Sequence, residues 1–503
     1  MKSKKGLIIL ETIETIDKPK RNLKPYWIAL AFIVMITILL LPNPVDLPVM
    51  GQRALAILGF AVILWMTEAV SYPLSSAMII GLVALLLGLA PDMANPDVLL
   101  GSKAALGMAL GGFSNPAVAL VAAALFLAAA MQATNLHKRL ALFILSKVGV
   151  KTGAIVFGAI VVSIVLAFFV PSATARAGAV VPILLGMVAA FGLPHNSRLS
   201  ALLVITAVQA VSIWNIGIKT GAAQNMVAIG FIESEMSASV SWGAWFMYAA
   251  PWSIIMSFVL YFVMIKLIKP ETQVVEGGTE LIQNQLKELG PIKSSEKRLI
   301  IVAVTLLLFW STEEVLHPFD TTTVTLIAIT ILLLPKIGVF DWKTVEKLIP
   351  WGTIIVFAVG IALGTILLNT QGAQWLSNKV FGAMGLEDMP ILATIALLSL
   401  FNILIHLGFA SATSLASALI PIFIALTTTI SLGVNDVGFV LIQQFVISFG
   451  FLLPISSPQN MLAYGTGSFT VKDFLKSGIP ITVIGYLLIL LLSATYWKWI
   501  GLL

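Results

Sequence analysis

The chain has no cysteine and only four histidines, His137, His195, His317 and His406. The first absence excludes disulfides and thiolate-held metals. The histidine spacing matches no zinc-ligand pattern, and neither an HExxH run nor a P-loop occurs. No metal site and no cofactor are therefore expected. Charge is scarce too: Lys, Arg, Asp and Glu make up 10% of the 503 residues, against about a quarter in an ordinary soluble domain. The net charge of +6 is scattered over loops, so it reads as topological and not as a surface for nucleic acid. No nucleophile–base pair recurs in the apolar segments, so an enzyme is not expected. Residues 1–24 have no apolar core beside a cleavage site, so they read as a basic tail and not a signal peptide (Lys2, Lys4, Lys5, Lys18, Lys20, Arg21, Lys24).

What the chain has in quantity is apolar sequence, 59% of its residues. Runs long enough to span a bilayer, each about 17–25 residues, recur from Pro25 onward. They fall at 26–41, 54–70, 74–90 and 117–135, then as a split pair at 153–170 and 175–192, then at 200–231 and 243–268. The second half has 298–316, 321–335 and 352–370, a split pair at 390–410 and 414–430, then 437–465 and 479–499. Residues 269–297 are the one sizeable polar interval. With the N-terminus inside and each split pair entering and leaving by one face, Lys138, Arg139, Lys147, Lys151, Arg198, the 269–297 linker, Lys336, Lys343, Lys347, Lys472 and Lys476 share the cytoplasmic side. Asp92, Asp97, Glu233, Glu235, Glu313, Glu314, Asp320, Glu387 and Asp388 share the other. The expected fold is an all-α integral membrane protein of about eleven transmembrane helices plus two re-entrant hairpins, with the C-terminus outside.

The chain also repeats itself. Trp65-Met66-Thr67-Glu68-Ala69-Val70 answers Trp310-Ser311-Thr312-Glu313-Glu314-Val315; Ser172-Ala173-Thr174 answers Ser411-Ala412-Thr413; and Gln224-Asn225-Met226 answers Gln459-Asn460-Met461. Each match falls at the corresponding place in a five-span unit, and an odd span count inverts the second copy. Inverted repeats with interrupted helices mark secondary transporters, with substrate held near mid-membrane between the copies.

Ser172, Ala173 and Thr174, and their counterparts Ser411, Ala412 and Thr413, begin the returning helices of the hairpins. Ser and Thr suit an N-cap, and the free N–H groups behind them form an anion site without a charged side chain. Two such tips suit the two carboxylates of a dianion, although small residues also simply permit close helix packing. The second pair of interruptions contributes Lys219, Thr220, Gly221 and Asn225, and Ser456, Ser457, Pro458 and Asn460. Three titratable groups lie in apolar surroundings: Arg176, Lys219 and His406. Intramembrane charge ordinarily faces a cavity or a partner; the alternatives are snorkelling for Arg176 and Lys219 and plain packing for His406. Glu68 and Glu313, at span ends, read as structural.

At these residues the sequence resembles the divalent anion/sodium symporter family, the dicarboxylate and citrate carriers of the INDY type. The run Pro171-Ser172-Ala173-Thr174-Ala175-Arg176-Ala177-Gly178 is most similar to the exchanger branch. The resemblance covers about residues 50–500. It implies a homodimer, each protomer pairing a scaffold with a transport domain that slides like an elevator; the lack of cysteine and of a targeting peptide fits a plasma membrane. Scaffold helices would be 26–135 and 298–370; hairpins and broken helices 136–242 and 371–470; closing spans 243–268 and 471–503; tail and linker 1–25 and 269–297. The family's usual hairpin signature is Ser-Asn-Thr, and here Ala173 and Ala412 replace the Asn. Lys219 and His406 fall near the expected sodium positions. The expectation is sodium-independent exchange of C4/C5 dicarboxylates, with Lys219, His406 and Arg176 as fixed cations. A sodium-coupled symporter, a carrier of inorganic dianions and an anion channel stand as alternatives.

Overall fold

The computed structural model describes residues 23–275, 277–386, 389–429 and 433–503. The basic tail up to residue 22 lies outside the described residues, as do Glu387 and Asp388. Every named element among the described residues is helical. Among the described residues, nine helices are long and apolar enough to cross a membrane, and five shorter apolar helices join them. Large apolar side chains such as Ile33, Phe258, Phe262, Ile301, Leu487 and Leu491 point outward, a surface that suits lipid and not water.

Two units run through the same order of elements. The first has Val49–Thr67, Tyr72–Leu86, Pro116–Ala133, Leu136–Leu145, the hairpin Thr152–Phe169 with Ala173–Ala190, the broken helix Arg198–Gly217 with Ala223–Glu235, and Trp242–Leu267. The second has Ser294–Ser311, Thr321–Leu333, Trp351–Asn369, Gly372–Gly382, the hairpin Ile391–His406 with Ala412–Thr429, the broken helix Asp436–Ile447 with Pro458–Tyr464, and Val471–Ala494. With Lys24–Leu40 in front, and each broken helix counted once, this makes the expected eleven passes and two hairpins.

Local chemistry sets the boundaries. The expected spans 54–70 and 74–90 lie earlier, because Glu68 takes a left-handed conformation (φ 45) and ends the helix at Thr67. Asn115 caps the helix at Pro116 by accepting from the Ala117 amide at 2.9 Å, and Asp320 caps the helix at Thr321 through the Thr323 amide, also at 2.9 Å. Left-handed residues at matched places, Asn135 (φ 57) and Gln371 (φ 62), start two further helices that hydropathy alone did not reveal, Leu136–Leu145 and Gly372–Gly382.

The polar linker is also partly helical, over Gly278–Glu288. It is strapped across the first hairpin's base. The Thr152 amide donates to the Gln273 carbonyl at 2.9 Å, and the Val275 amide to the Val150 carbonyl at 2.8 Å. Glu271 accepts from the Arg198 and Leu199 amides at 2.7 and 2.9 Å, capping the first broken helix.

Close packing is achieved with small residues. A Cβ at Gly360 would strike Ser417, and one at Gly364 would strike Phe231 and Pro421. These glycines seat Trp351–Asn369 against the second hairpin. The helix Arg198–Gly217 lies deepest, its membrane-spanning window wholly buried.

Candidate functional site

The two hairpin tips are built alike. Ser172 Oγ accepts from the Ala175 amide at 3.3 Å, and Ser411 Oγ accepts from the Ser414 amide at 3.3 Å. Each serine thus uses one orphan N–H of its returning helix and leaves others facing the interior.

The helix breaks are also built alike. Asn225 Nδ2 donates to the Asn215 carbonyl at 2.6 Å, ten residues back, and to the Ile218 carbonyl at 3.0 Å. Asn460 Nδ2 donates to the Gly450 carbonyl at 2.8 Å, again ten residues back. Each asparagine satisfies a carbonyl that the missing turn leaves without an amide. The breaks are then tied to each other crosswise. Gln224 Nε2 donates to Ser448 Oγ at 3.3 Å, and Gln459 Nε2 donates to Ser212 Oγ at 3.1 Å. Gln209 Nε2 donates to the Phe451 carbonyl at 3.1 Å, and Gln444 Nε2 to Asn225 Oδ1 at 3.3 Å. The repeat seen in sequence is therefore repeated in hydrogen bonds.

All four interruptions meet at one cavity of about 970 Å³. Of the residues singled out from sequence, Ser172, Ala173, Thr174, His406, Ser411, Ala412, Thr413, Ser457 and Pro458 line it. Arg176, Lys219, Thr220, Gly221, Asn225, Ser456 and Asn460 are buried behind the wall.

The buried set has defined partners. Arg176, 0% exposed, donates through Nη2 to Asn215 Oδ1 and, at 2.7 Å, to the Gly221 carbonyl. His406 Nε2 lies 3.2 Å from the Ser456 carbonyl, which can only accept, so Nε2 carries the proton. Thr220 Oγ1 accepts from Trp242 Nε1 at 3.3 Å. Lys219 turns away from the cavity and donates to the Val240 carbonyl at 2.7 Å and to Thr321 Oγ1 at 3.5 Å. Each break therefore has a nitrogen-bearing side chain from its neighbouring hairpin bonded to one of its carbonyls: Arg176 at the first, His406 at the second.

Several lining residues escaped the sequence reading. Gln224 and Gln459 stand beside the two asparagines; their repetition was itself the signal. Asn215, Tyr72, Asn135 and His137 also line the cavity, and nothing in their sequence context marked them. Of the two glutamates read as structural, Glu313 is so. It accepts from the Trp242 amide at 2.8 Å, the Thr321 amide at 2.8 Å and Thr321 Oγ1 at 2.7 Å, capping two helices. Glu68 instead lines the cavity, where it accepts from the Tyr72 hydroxyl at 3.0 Å.

Two buried polar atoms at the cavity, Ser457 Oγ and His406 Nδ1, have no protein partner. With the helix N-termini at both tips, the Ser457 hydroxyl makes a pocket that can receive carboxylate oxygens through a neutral donor and dipoles, whereas His406 Nδ1, unprotonated while Nε2 donates, can only accept. No group of His, Asp and Glu among the described residues could hold a metal ion.

Comparison with known proteins agrees with this geometry. The family model for the sodium:sulfate symporter transmembrane region matches residues 21–503. A protein of Cupriavidus necator described only as a membrane protein is 50% identical over 484 residues, covering 96% of this chain and 94% of its own. The sodium-dependent dicarboxylate transporter SdcS of Staphylococcus saprophyticus is 26% identical over 482 residues, 91% of this chain and 88% of that one. SdcS of Staphylococcus aureus is 26% identical over 478 residues, 90% and 87% of the two chains. Among solved structures, the YdaH transporter of Alcanivorax borkumensis superposes with a TM-score of 0.54 at 14% identity, covering 88% of this chain and 99% of its own. With a family match running almost end to end, the chain belongs to the sodium:sulfate symporter family, the divalent anion/sodium symporters, and is a multi-pass membrane transporter of the dicarboxylate/sulfate class.

Proposed function

We propose that this carrier exchanges C4/C5 dicarboxylates, such as malate, succinate, fumarate and 2-oxoglutarate, without sodium. One observation carries the reading: at each break a side chain already holds a backbone carbonyl that could otherwise coordinate a cation. Unwound carbonyls at such breaks are where secondary transporters hold a coupling ion. Here Arg176 occupies Gly221 and His406 occupies Ser456. Lys219, grouped with them from sequence, is left out of this role in the present reading, since its ammonium bonds Val240 and Thr321 and no carbonyl of the breaks.

Fixed charge explains exchange. A guanidinium behind the first tip favours a bound carboxylate, yet it cannot leave down a gradient as sodium does. Moving the empty site would carry an uncompensated buried charge across the membrane, which is costly. The loaded site is closer to neutral. The two tips, two broken helices and their hairpins form the moving part of an elevator-type homodimer in this reading. The cavity wall includes Asn135, His137, Leu348 and Pro350, beside the Lys- and Arg-rich loops. By the positive-inside rule it opens to the cytoplasm of a plasma-membrane protein whose N-terminus is inside and C-terminus outside.

A second reading, sodium-coupled uptake, is favoured by the name of the SdcS relatives. Uptake of labelled 2-oxoglutarate into proteoliposomes separates the two. Uptake confined to preloaded vesicles and indifferent to sodium supports exchange; sodium-driven uptake into empty vesicles supports symport.

A further inference from the structure

Lys219 is a charged group that the transport reading leaves unused. It is 4% exposed and sits at the break of the first broken helix, on the side away from the cavity that Ala222, Ala223 and Gln224 line. Its Nζ donates at 2.7 Å to the Val240 carbonyl. Val240 stands one residue before Ser241, the N-cap of Trp242–Leu267, a helix fastened to the same broken helix by the bond from Trp245 Nε1 to the Ile216 carbonyl at 2.9 Å. Its second acceptor, Thr321 Oγ1 at 3.5 Å, belongs to a different body, the helix Thr321–Leu333. That hydroxyl in turn donates to Glu313 at 2.7 Å. The carboxylates of Glu313, Asp320 and Glu314, from the segment leading into Thr321–Leu333, and of Glu233, on the second half of the broken helix itself, act on the ammonium.

We propose that Lys219 is a positioning residue for transport: a bolt that closes the face opposite the cavity mouth by bonding the moving broken helix to Thr321, whose hydroxyl in turn bonds Glu313. The inference rests on the alternating-access reading above. When the broken helix and Trp242–Leu267 slide past Thr321–Leu333, the contact to Thr321 must part together with the bond from the Trp242 amide to Glu313, while the Val240 carbonyl travels with Lys219 and keeps one bond. The ammonium thus loses one acceptor and the field of Glu313, but is never left bare. That makes the contact a reversible bias toward the state with the cavity mouth open. It does not make Lys219 a fixed anchor, nor a substrate contact.

The absence of native cysteine allows a direct test. Ala175, half-buried on the cavity wall, is replaced by Cys, and its labelling by a membrane-impermeant maleimide from the mouth side is timed in proteoliposomes. Lys219→Gln is expected to slow labelling at least tenfold while 2-oxoglutarate exchange persists, and Lys219→Arg is expected to restore the labelling rate. Thr321→Val, which removes the acceptor and leaves the ammonium, is expected to slow labelling in the same direction should Lys219→Gln fail to fold. Unchanged labelling in a folded Lys219→Gln or Thr321→Val carrier overturns the bolt. So does loss of exchange with unchanged labelling, which would return Lys219 to the substrate. Absence of exchange in the Ala175→Cys parent and in the native carrier alike would instead overturn the exchange reading.

Discussion

Arg176 Nη2 donates to the Gly221 carbonyl at 2.7 Å, joining the returning helix of the first hairpin to the unwound segment of the first broken helix. The same nitrogen bonds Asn215 Oδ1, on the other side of the break. One guanidinium therefore spans the discontinuity and supplies the positive charge nearest the first tip.

Removing it should be severe. Arg176→Gln leaves the Gly221 carbonyl and Asn215 without their charged donor, and hydrogen bonds to charged groups contribute roughly 1.5–3 kcal/mol each. Exchange should fall at least about tenfold. Arg176→Lys should recover only part of it, since the ammonium is a compact, strongly hydrated point charge that does not match the shape and delocalised charge of the buried guanidinium. Initial rates in proteoliposomes with matched protein content check this.

The paired asparagines should behave alike. Asn225→Ala and Asn460→Ala each free a buried carbonyl ten residues upstream. An unsatisfied buried acceptor costs about 1–3 kcal/mol. Both variants should melt at lower temperature in detergent. Asn225→Ala should lose more, because Asn225 also serves Ile218 and Gln444.

The ion pair among the described residues ties the end of the polar linker to the first unit. Arg139 Nε donates to Glu296 at 3.0 Å, and its remaining nitrogens donate to the Gly290 and Leu289 carbonyls. Glu296→Gln strands a nearly buried guanidinium. Breaking one side of a buried pair typically costs about 3–5 kcal/mol; the carbonyls that still hold Arg139 should keep the loss near the lower end. A double-mutant cycle with Arg139→Met should show strong coupling, the pair removed together costing less than the sum of the single changes.

Glu271 gives a pH-dependent test outside the membrane. Burial opposes its ionisation, but the hydrogen bonds from the Arg198 and Leu199 amides outweigh that and hold the carboxyl below its ordinary range. A depressed carboxyl contributes stability that is complete above its unfolded pKa and fades as pH falls through the folded value. Glu271→Gln should therefore lower the melting temperature at neutral pH. The cap is exposed, so the loss should be modest, about 0.5–1 kcal/mol. The difference from the native protein should shrink as pH drops below about 4.3, the ordinary glutamate value.

Much of this molecule was legible because the two interrupted elements are written twice. Ser172 and Ser411 were expected to cap returning helices and do so with the same bond to the amide three residues on. The eleven passes followed from apolar run length. The short helices Leu136–Leu145 and Gly372–Gly382 were not legible, since they are too short and mixed for hydropathy and depend on left-handed residues at Asn135 and Gln371. The direction of a long side chain was equally hidden. Lys219 and Arg176 looked equivalent in sequence, yet one turns to the opposite face and the other bridges the break. Gln224 and Gln459 were visible as repeats, but only the crossed bonds to Ser448 and Ser212 show why glutamine stands there.

The central claim is that fixed side chains take the place of a coupling ion. The most direct measurement is uptake of labelled 2-oxoglutarate into proteoliposomes, preloaded with unlabelled dicarboxylate or empty, each with and without sodium. The account predicts uptake only into preloaded vesicles, at the same rate with and without sodium. Sodium-driven accumulation in empty vesicles would contradict it and show that Arg176 and His406 do not replace the ion.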